Sequence, residues 1–103
     1  MNKLTRKIIV ALGLHNTGEP YKVKVSDIII PVEFKESPPR FKKMMHKREY
    51  FRINDRFESK IVLSRDFILI DGYTSYLLAK ENDMKHVEAY FVKLFWGTYI
   101  SEF

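Results

Sequence analysis

The 103-residue sequence contains no cysteine, and glycine and proline occur only four times each. Without cysteine the chain cannot build a disulfide framework, a thiolate zinc site or a cysteine nucleophile. This composition fits a reducing compartment, so we expect a cytoplasmic protein. Long hydrophobic runs are also missing, because no apolar stretch approaches the roughly 18 residues that a membrane span needs. We therefore expect no membrane partner.

The residues that are present describe a basic globular chain. Hydrophobic residues make up 46% and aromatic residues 15%, which is enough apolar side chain for a core, and 30% of the residues are charged. The length suits a single domain over residues 1–103. The net charge of +5 favours an anionic partner, either nucleic acid, a nucleotide or an acidic protein surface. Ordinary solubility explains a charge of this size equally well.

Hydrophobic patterning predicts an α/β domain with a small mixed sheet and two or three helices. The predicted elements between residues 21 and 92 are a strand at 21–25, a helix at 40–54, a hairpin at 60–63 and 67–70, a helix at 73–82 and a strand at 86–92. Ser37 is expected to cap the first of these helices, with proline at its start. Residues 1–20 are interpreted as an N-terminal helix or extension, and residues 93–103 as an aromatic strand or tail.

A sharp turn from strand to helix is the first candidate site. Asp71 and Gly72 end a predicted strand, and a helix follows at once. The free amides of Gly72, Tyr73, Thr74 and Ser75 would form a phosphate-binding helix start, to which the two hydroxyls add donors. Asp71 is the candidate acid of the site. The alternative is that Asp71 only caps the helix.

The second candidate site is the helix at 40–54. Seven of the seventeen residues from 40 to 56 are lysine or arginine. The basic surface predicted to hold a phosphate backbone or an acidic partner consists of Arg40, Lys43, Lys47, Arg48 and Arg52. Four apolar residues are predicted to share another face of the helix: Phe41, Met44, Met45 and Phe51. The alternative is a solvated outer face.

Other site chemistry has little support in the sequence. The three histidines are far apart and form no metal-binding motif, so we expect neither a metal nor a cofactor. The aromatic residues near the C-terminus are interpreted as core or an interface between copies of the chain, or as base-stacking groups. A homo-oligomer therefore stays open.

Four segments together resemble the ParB/sulfiredoxin-like superfamily, over residues 21–92. They are the strand end with its following proline at 25–31, the apolar run at 60–63, the Leu-Ile-Asp-Gly turn with its helix at 69–80, and the strand at 87–92. The resemblance implies the fold of a ParB N-terminal domain. Sulfiredoxins carry Gly-Cys-His-Arg at the turn and ParB proteins carry Gly-Glu-Arg-Arg, whereas this chain has Gly72, Tyr73, Thr74 and Ser75.

These departures change the functional expectation. Without the cysteine, sulfiredoxin activity is not expected, and without the arginines, nucleotide hydrolysis is doubtful. The chain also shows no helix-turn-helix or dimerisation domain of the kind that partition proteins carry after this module, so sequence-specific DNA reading by that route is not expected.

Three functions follow in order of preference. The first is a non-catalytic module that binds nucleic-acid or nucleotide phosphates. The second is a protein-interaction or inhibitor module of a mobile element that binds an acidic partner. The third is a residual nuclease or nucleotide hydrolase that uses Asp66, Asp71 and Glu81. Two results would support the first function. One is loss of binding when Lys43 and Lys47 are changed to glutamate, and the other is loss of binding on Gly72→Val in a protein that stays folded.

Overall fold

The computed structural model describes residues 20–92; the predicted segments 1–20 and 93–103 lie outside this range, apart from Pro20. Within it the chain forms four strands, three α-helices and one turn of 3-10 helix at Val25–Asp27. The strands are β1 (Tyr21–Lys24), β2 (Ile61–Leu63), β3 (Leu69–Asp71) and β4 (His86–Phe91). The helices are α1 (Val32–Glu36), α2 (Phe41–Asn54) and α3 (Tyr73–Glu81).

The four strands form one mixed sheet in the order β1-β4-β2-β3. Strand β4 runs antiparallel to β1 and parallel to β2, and β2 pairs antiparallel with β3 as the predicted hairpin. Helix α3 lies between β3 and β4 in the chain. It is part of the connection that lets β4 run parallel to β2. The predicted α/β class with a small mixed sheet and two or three helices is confirmed.

Alternation along β1 and β4 separates a buried face from a polar face. Val23 lies opposite Val87, and both are buried with Ala89 in the core. Ala79 of α3 belongs to the same core cluster, so α3 covers this face. The other face carries four exposed residues in two cross-strand pairs: Lys22 with Glu88 and Lys24 with His86.

The prediction that Ser37 caps the long helix is wrong. Ser37 instead ends α1, where its N–H donates to the carbonyl of Phe34 at 3.2 Å. Helix α2 begins at Phe41 after Arg40, with no side-chain cap. A five-residue helix such as α1 is too short to show a hydrophobic period, which is why the sequence did not reveal it.

The predicted apolar face of α2 is only partly buried. Met44 is buried and Phe51 is half-buried, with its ring 5.0 Å from that of Phe57. Phe41 is 74% exposed and Met45 is 51% exposed. The helix therefore packs through a narrow contact, and the rest of the predicted stripe faces outward.

Candidate functional site

Gly72 occupies a position that accepts no other residue easily. It precedes α3 with φ +91°, in the left-handed region that favours glycine. A Cβ at this position would overlap the carbonyl oxygen of Lys60 and lie 2.8 Å from Cα of Ile61. The Gly72 N–H donates to the carboxylate of Asp71 at 2.9 Å. The turn thus brings the start of α3 directly against the start of β2.

The two hydroxyl residues at the start of α3 point into the domain. Thr74 is 5% exposed and Ser75 is 1% exposed. The Ser75 hydroxyl donates to the carbonyl of Ser59 at 2.5 Å. The ring of Tyr73 lies 5.2 Å from that of Phe34. Phosphate binding by these residues stays a prediction. In the structure Ser75 holds the segment that leads into β2, and Tyr73 packs against Phe34.

Ser75→Ala is expected to lower the free energy of unfolding by about 1–2 kcal/mol, because the partly buried Ser59 carbonyl loses its donor. Urea denaturation followed by circular dichroism measures this. Thr74→Val is the matched control, since the part of the chain that the structure describes shows no hydrogen bond to that hydroxyl. Equal losses in the two variants would contradict the assigned role of the Ser75–Ser59 bond.

Three of the five cations predicted for the basic surface are engaged by carboxylates. Nζ of Lys47 lies 2.7 Å from Glu58 and also donates to the Ser59 hydroxyl at 2.9 Å. The other two form bidentate pairs: Arg48 with Glu81 of α3, at 2.7 and 3.0 Å, and Arg52 with Glu49 one turn earlier. These three side chains stabilise the fold, and only Arg48 and Lys47 reach beyond their own helix.

The remaining cations lie together at the start of α2. Arg40 and Lys43 form no ion pair with any residue between 20 and 92, and the same holds for Lys42 between them. All three are exposed. The first turn of α2 contains no acidic residue. Of the five predicted cations, Arg40 and Lys43 are thus unpaired, and with Lys42, which the prediction did not include, they form the unpaired cluster Arg40–Lys43.

The paired carboxylates predict a loss of stability in acid. Hydrogen bonds from Lys47, Arg48 and Arg52 hold the pKa of Glu58, Glu81 and Glu49 below the usual glutamate value. A lowered folded-state pKa adds stability that is present above the unfolded pKa and is lost as pH falls through the folded value.

The urea midpoint is therefore expected to fall between about pH 6 and about pH 3, since unfolded glutamate titrates near 4.3. In the double variant Glu58→Gln/Glu81→Gln the midpoint should depend less on pH. A double variant with the pH profile of the wild type would show that these pairs do not carry the effect.

The polar face of β1 and β4 borders two concavities that the sequence had not identified as a site. A concavity of about 500 Å³ is lined by Lys24, Lys80, Lys85 and His86, among others. A second, of about 630 Å³, also reaches His86 and includes Lys22, Arg56, Lys60 and Tyr90. The signal was present in the alternation of Lys22 and Lys24 around Val23, but the partners of these lysines come from distant segments.

The carboxylates considered for catalysis do not converge. Glu81 pairs with Arg48, Asp71 accepts the Gly72 amide, and Asp66 is exposed in the hairpin turn. Across residues 20–92 no three histidine, aspartate or glutamate side chains are placed to share a metal ion. No helix in that range has the length and apolar character to span a membrane.

Comparison with known proteins identifies the fold. No family model and no curated protein matches the sequence. The solved N-domain of a pNOB8-like ParB is similar, with 26% identity and a TM-score of 0.56, over 68% of this chain and 25% of that one. The C2221 form of such an N-domain gives 23% identity and a TM-score of 0.58, over 71% of this chain and 29% of that one.

The chain therefore has the fold of a ParB N-terminal-type domain, as its motifs indicated. It matches between a quarter and a third of the length of those solved chains.

Proposed function

We propose that this ParB-like module binds nucleic-acid phosphates, without catalysis, through the unpaired cluster Arg40–Lys43 at the start of α2. The observation that carries the proposal is the position of these cations. The start of a helix carries partial positive charge, so lysine and arginine there oppose the helix dipole. No carboxylate among residues 20–92 compensates them, and the uncapped amides of the first turn add to the same positive field. The helix dipole disfavours three cations at this position, whereas the same positive field attracts a polyanion.

The paired cations have a different role in this proposal. Lys47 and Arg48 connect α2 to Glu58 and Glu81, Arg52 pairs with Glu49 within α2, and none of the three is assigned to the ligand. Lys47 is the clearest case, because its side chain is only 15% exposed between Glu58 and Ser59. The double change of Lys43 and Lys47 to glutamate would therefore mix a loss of binding with a loss of stability. Arg40, Lys42 and Lys43 are the suitable positions for a test.

A second candidate function is binding of an acidic protein partner. The exposed side chains of Phe41, Met45 and Ile53 favour it, since α2 presents 51–74% of each to solvent. Aromatic residues, methionine and arginine are enriched in protein interfaces. A nucleic-acid backbone has no comparable use for Met45 and Ile53. The two candidates share the Arg40–Lys43 cluster and differ in whether these apolar side chains are covered in the complex.

The test is a titration of the protein against labelled single- and double-stranded DNA and RNA at low and moderate salt, with and without ATP and CTP. We expect binding that weakens steeply with salt and does not require the nucleotide, because counterion release drives phosphate contacts. The absence of binding at low salt would reject the nucleic-acid proposal. In that case Phe41→Ser and Met45→Ser become the variants with which to search for an acidic protein partner.

A further inference from the structure

Two neighbouring concavities, one along the polar face of the sheet and one at its edge beside the end of α3, are not used by the proposed function. The two concavities meet at His86, which lines both. Together they are lined by six lysine or arginine residues: Lys22, Lys24, Arg56, Lys60, Lys80 and Lys85. The acidic residues of the lining are Asp55, Asp83 and Glu88. The surface thus has a positive excess, and Lys22, Lys24, Lys80 and Lys85 form no ion pair within residues 20–92.

Aromatic rings distinguish the larger concavity from an ordinary basic patch. The rings of Phe51 and Phe57 stack on one another beside it, and Tyr90 contributes a third ring. Nζ of Lys60 lies 4.8 Å from the centre of the Tyr90 ring. Flat rings beside cations are the combination with which proteins hold unpaired bases and the phosphates that accompany them.

The Ser59–Lys60 segment, which lines the larger concavity, is fixed by contacts with α2 and α3. The Ser59–Lys60 segment receives the Ser75 hydroxyl on the Ser59 carbonyl and the Lys47 ammonium on the Ser59 hydroxyl. Gly72 lets α3 pack directly against the Lys60 carbonyl. Gly72 and Ser75, two of the residues predicted from sequence to bind phosphate, thereby fix the backbone of Ser59 and Lys60, and Lys60 places its ammonium over the Tyr90 ring. A preformed wall lowers the entropic cost of binding a flexible ligand.

We propose that the two concavities form one track for single-stranded nucleic acid. The smaller concavity holds backbone phosphates between Lys24, Lys80 and Lys85, and the larger one takes a base against Tyr90. Both concavities, of about 500 and about 630 Å³, are open to solvent along one side, as a site for a chain that continues in both directions requires. A base inside a duplex presents no free face to a ring. The inference rests on the proposed function and narrows its ligand to a single strand.

The first experiment compares one labelled oligonucleotide as a single strand and as a duplex, for the wild type, Tyr90→Leu and Tyr76→Leu. Leucine keeps apolar volume and removes the ring. Tyr76 is the matched control, because it is a half-buried tyrosine on α3 that lines neither concavity and stacks on Tyr73. Tyr90→Leu is expected to weaken single-strand binding by about 5- to 150-fold, the range for loss of one stacked base. Tyr76→Leu is expected to leave it unchanged.

A second pair of variants tests the phosphate half of the track without touching the aromatic wall. Lys24→Gln/Lys85→Gln changes two exposed side chains and is expected to fold normally. The slope of log affinity against log salt should become shallower by about 1.4 for the single strand, at about 0.7 per phosphate contact. Circular dichroism and urea denaturation of each variant separate a lost contact from lost folding.

The outcomes separate the two proposals. If the wild type binds neither form in a salt-sensitive manner, the proposed function fails and the track fails with it. If the wild type binds but Tyr90→Leu behaves like Tyr76→Leu, or if the duplex binds as tightly as the single strand, only the track is overturned. Selective weakening of single-strand binding by Tyr90→Leu, together with the shallower slope of the lysine pair, supports the track and nucleic-acid binding by the module. The contribution of the Arg40–Lys43 cluster is measured separately with variants of its own cations.

Discussion

Gly72→Ala is expected to lower the free energy of unfolding by about 2–5 kcal/mol. A side chain at φ +91° costs about 1–2 kcal/mol, and forcing a Cβ into packed backbone costs about 1–3 kcal/mol more. The obstructing atoms are the Lys60 carbonyl oxygen and Ile61 Cα, which belong to the backbone that leads into β2. They cannot move aside in the way that the end of a flexible side chain can.

Urea denaturation of Gly72→Ala beside Asp71→Asn measures this effect. Asparagine retains an oxygen that accepts the Gly72 amide, so the control removes the charge of the turn and leaves its backbone unaltered. A Gly72→Ala midpoint equal to that of the wild type would contradict the close approach of α3 to β2. Stability of this domain is expected to be of the order of 5–15 kcal/mol, so a loss of about 5 kcal/mol removes between about a third and all of the free energy of unfolding.

Gly72→Val is consequently unsuitable as a test of phosphate binding. The sequence suggested that this change would remove a site in a protein that stays folded, but valine adds a branched side chain where even a methyl group overlaps backbone. Loss of binding in that variant would report unfolding.

The triple variant Arg40→Gln/Lys42→Gln/Lys43→Gln is expected to lose about 100-fold in affinity for nucleic acid at about 0.1 M salt. Each phosphate contact contributes about 0.7 to the salt slope for a single strand and about 0.9 for a duplex, so three contacts contribute about 2 to 3. The same variant should fold at least as well as the wild type, because it removes three cations from the start of a helix. Lower affinity with unchanged or higher stability marks a binding role.

The matched control is Arg52→Gln/Glu49→Gln on the same helix. It removes an exposed ion pair and leaves the net charge unaltered. Its salt slope should equal that of the wild type. A control that loses as much affinity as the triple variant would show that general perturbation of α2, and not the unpaired cluster, causes the loss.

The elements found by sequence are those whose pattern is local. Alternation of Val23 with Lys22 and Lys24 predicted β1, and the apolar runs on either side of the 64–66 turn predicted the β2–β3 hairpin. Helix α2 was found because its length allows a helical period to appear. The fold class followed from the order of these elements together with the ParB-like motif around Gly72.

The features that the sequence did not reveal depend on partners far along the chain. Lys47 and Arg48 looked like members of one basic stripe, but Glu58 and Glu81 neutralise them. Periodicity predicted that Phe41 lies on an apolar face of α2. It could not show how much of the side chain the rest of the domain covers, and within residues 20–92 Phe41 stays largely exposed. The Ser75 hydroxyl was predicted to face a ligand, but it donates to the carbonyl of Ser59, which lies just before β2.

The most direct measurement of the central claim is the salt dependence of affinity for a labelled single-stranded oligonucleotide, for the wild type and the Arg40→Gln/Lys42→Gln/Lys43→Gln variant. We predict a steep slope for the wild type and, for the variant, a slope shallower by about 2 with a fold at least as stable. Equal slopes in two folded proteins, or no binding by the wild type at low salt, would contradict the claim that the unpaired start of α2 binds nucleic-acid phosphates.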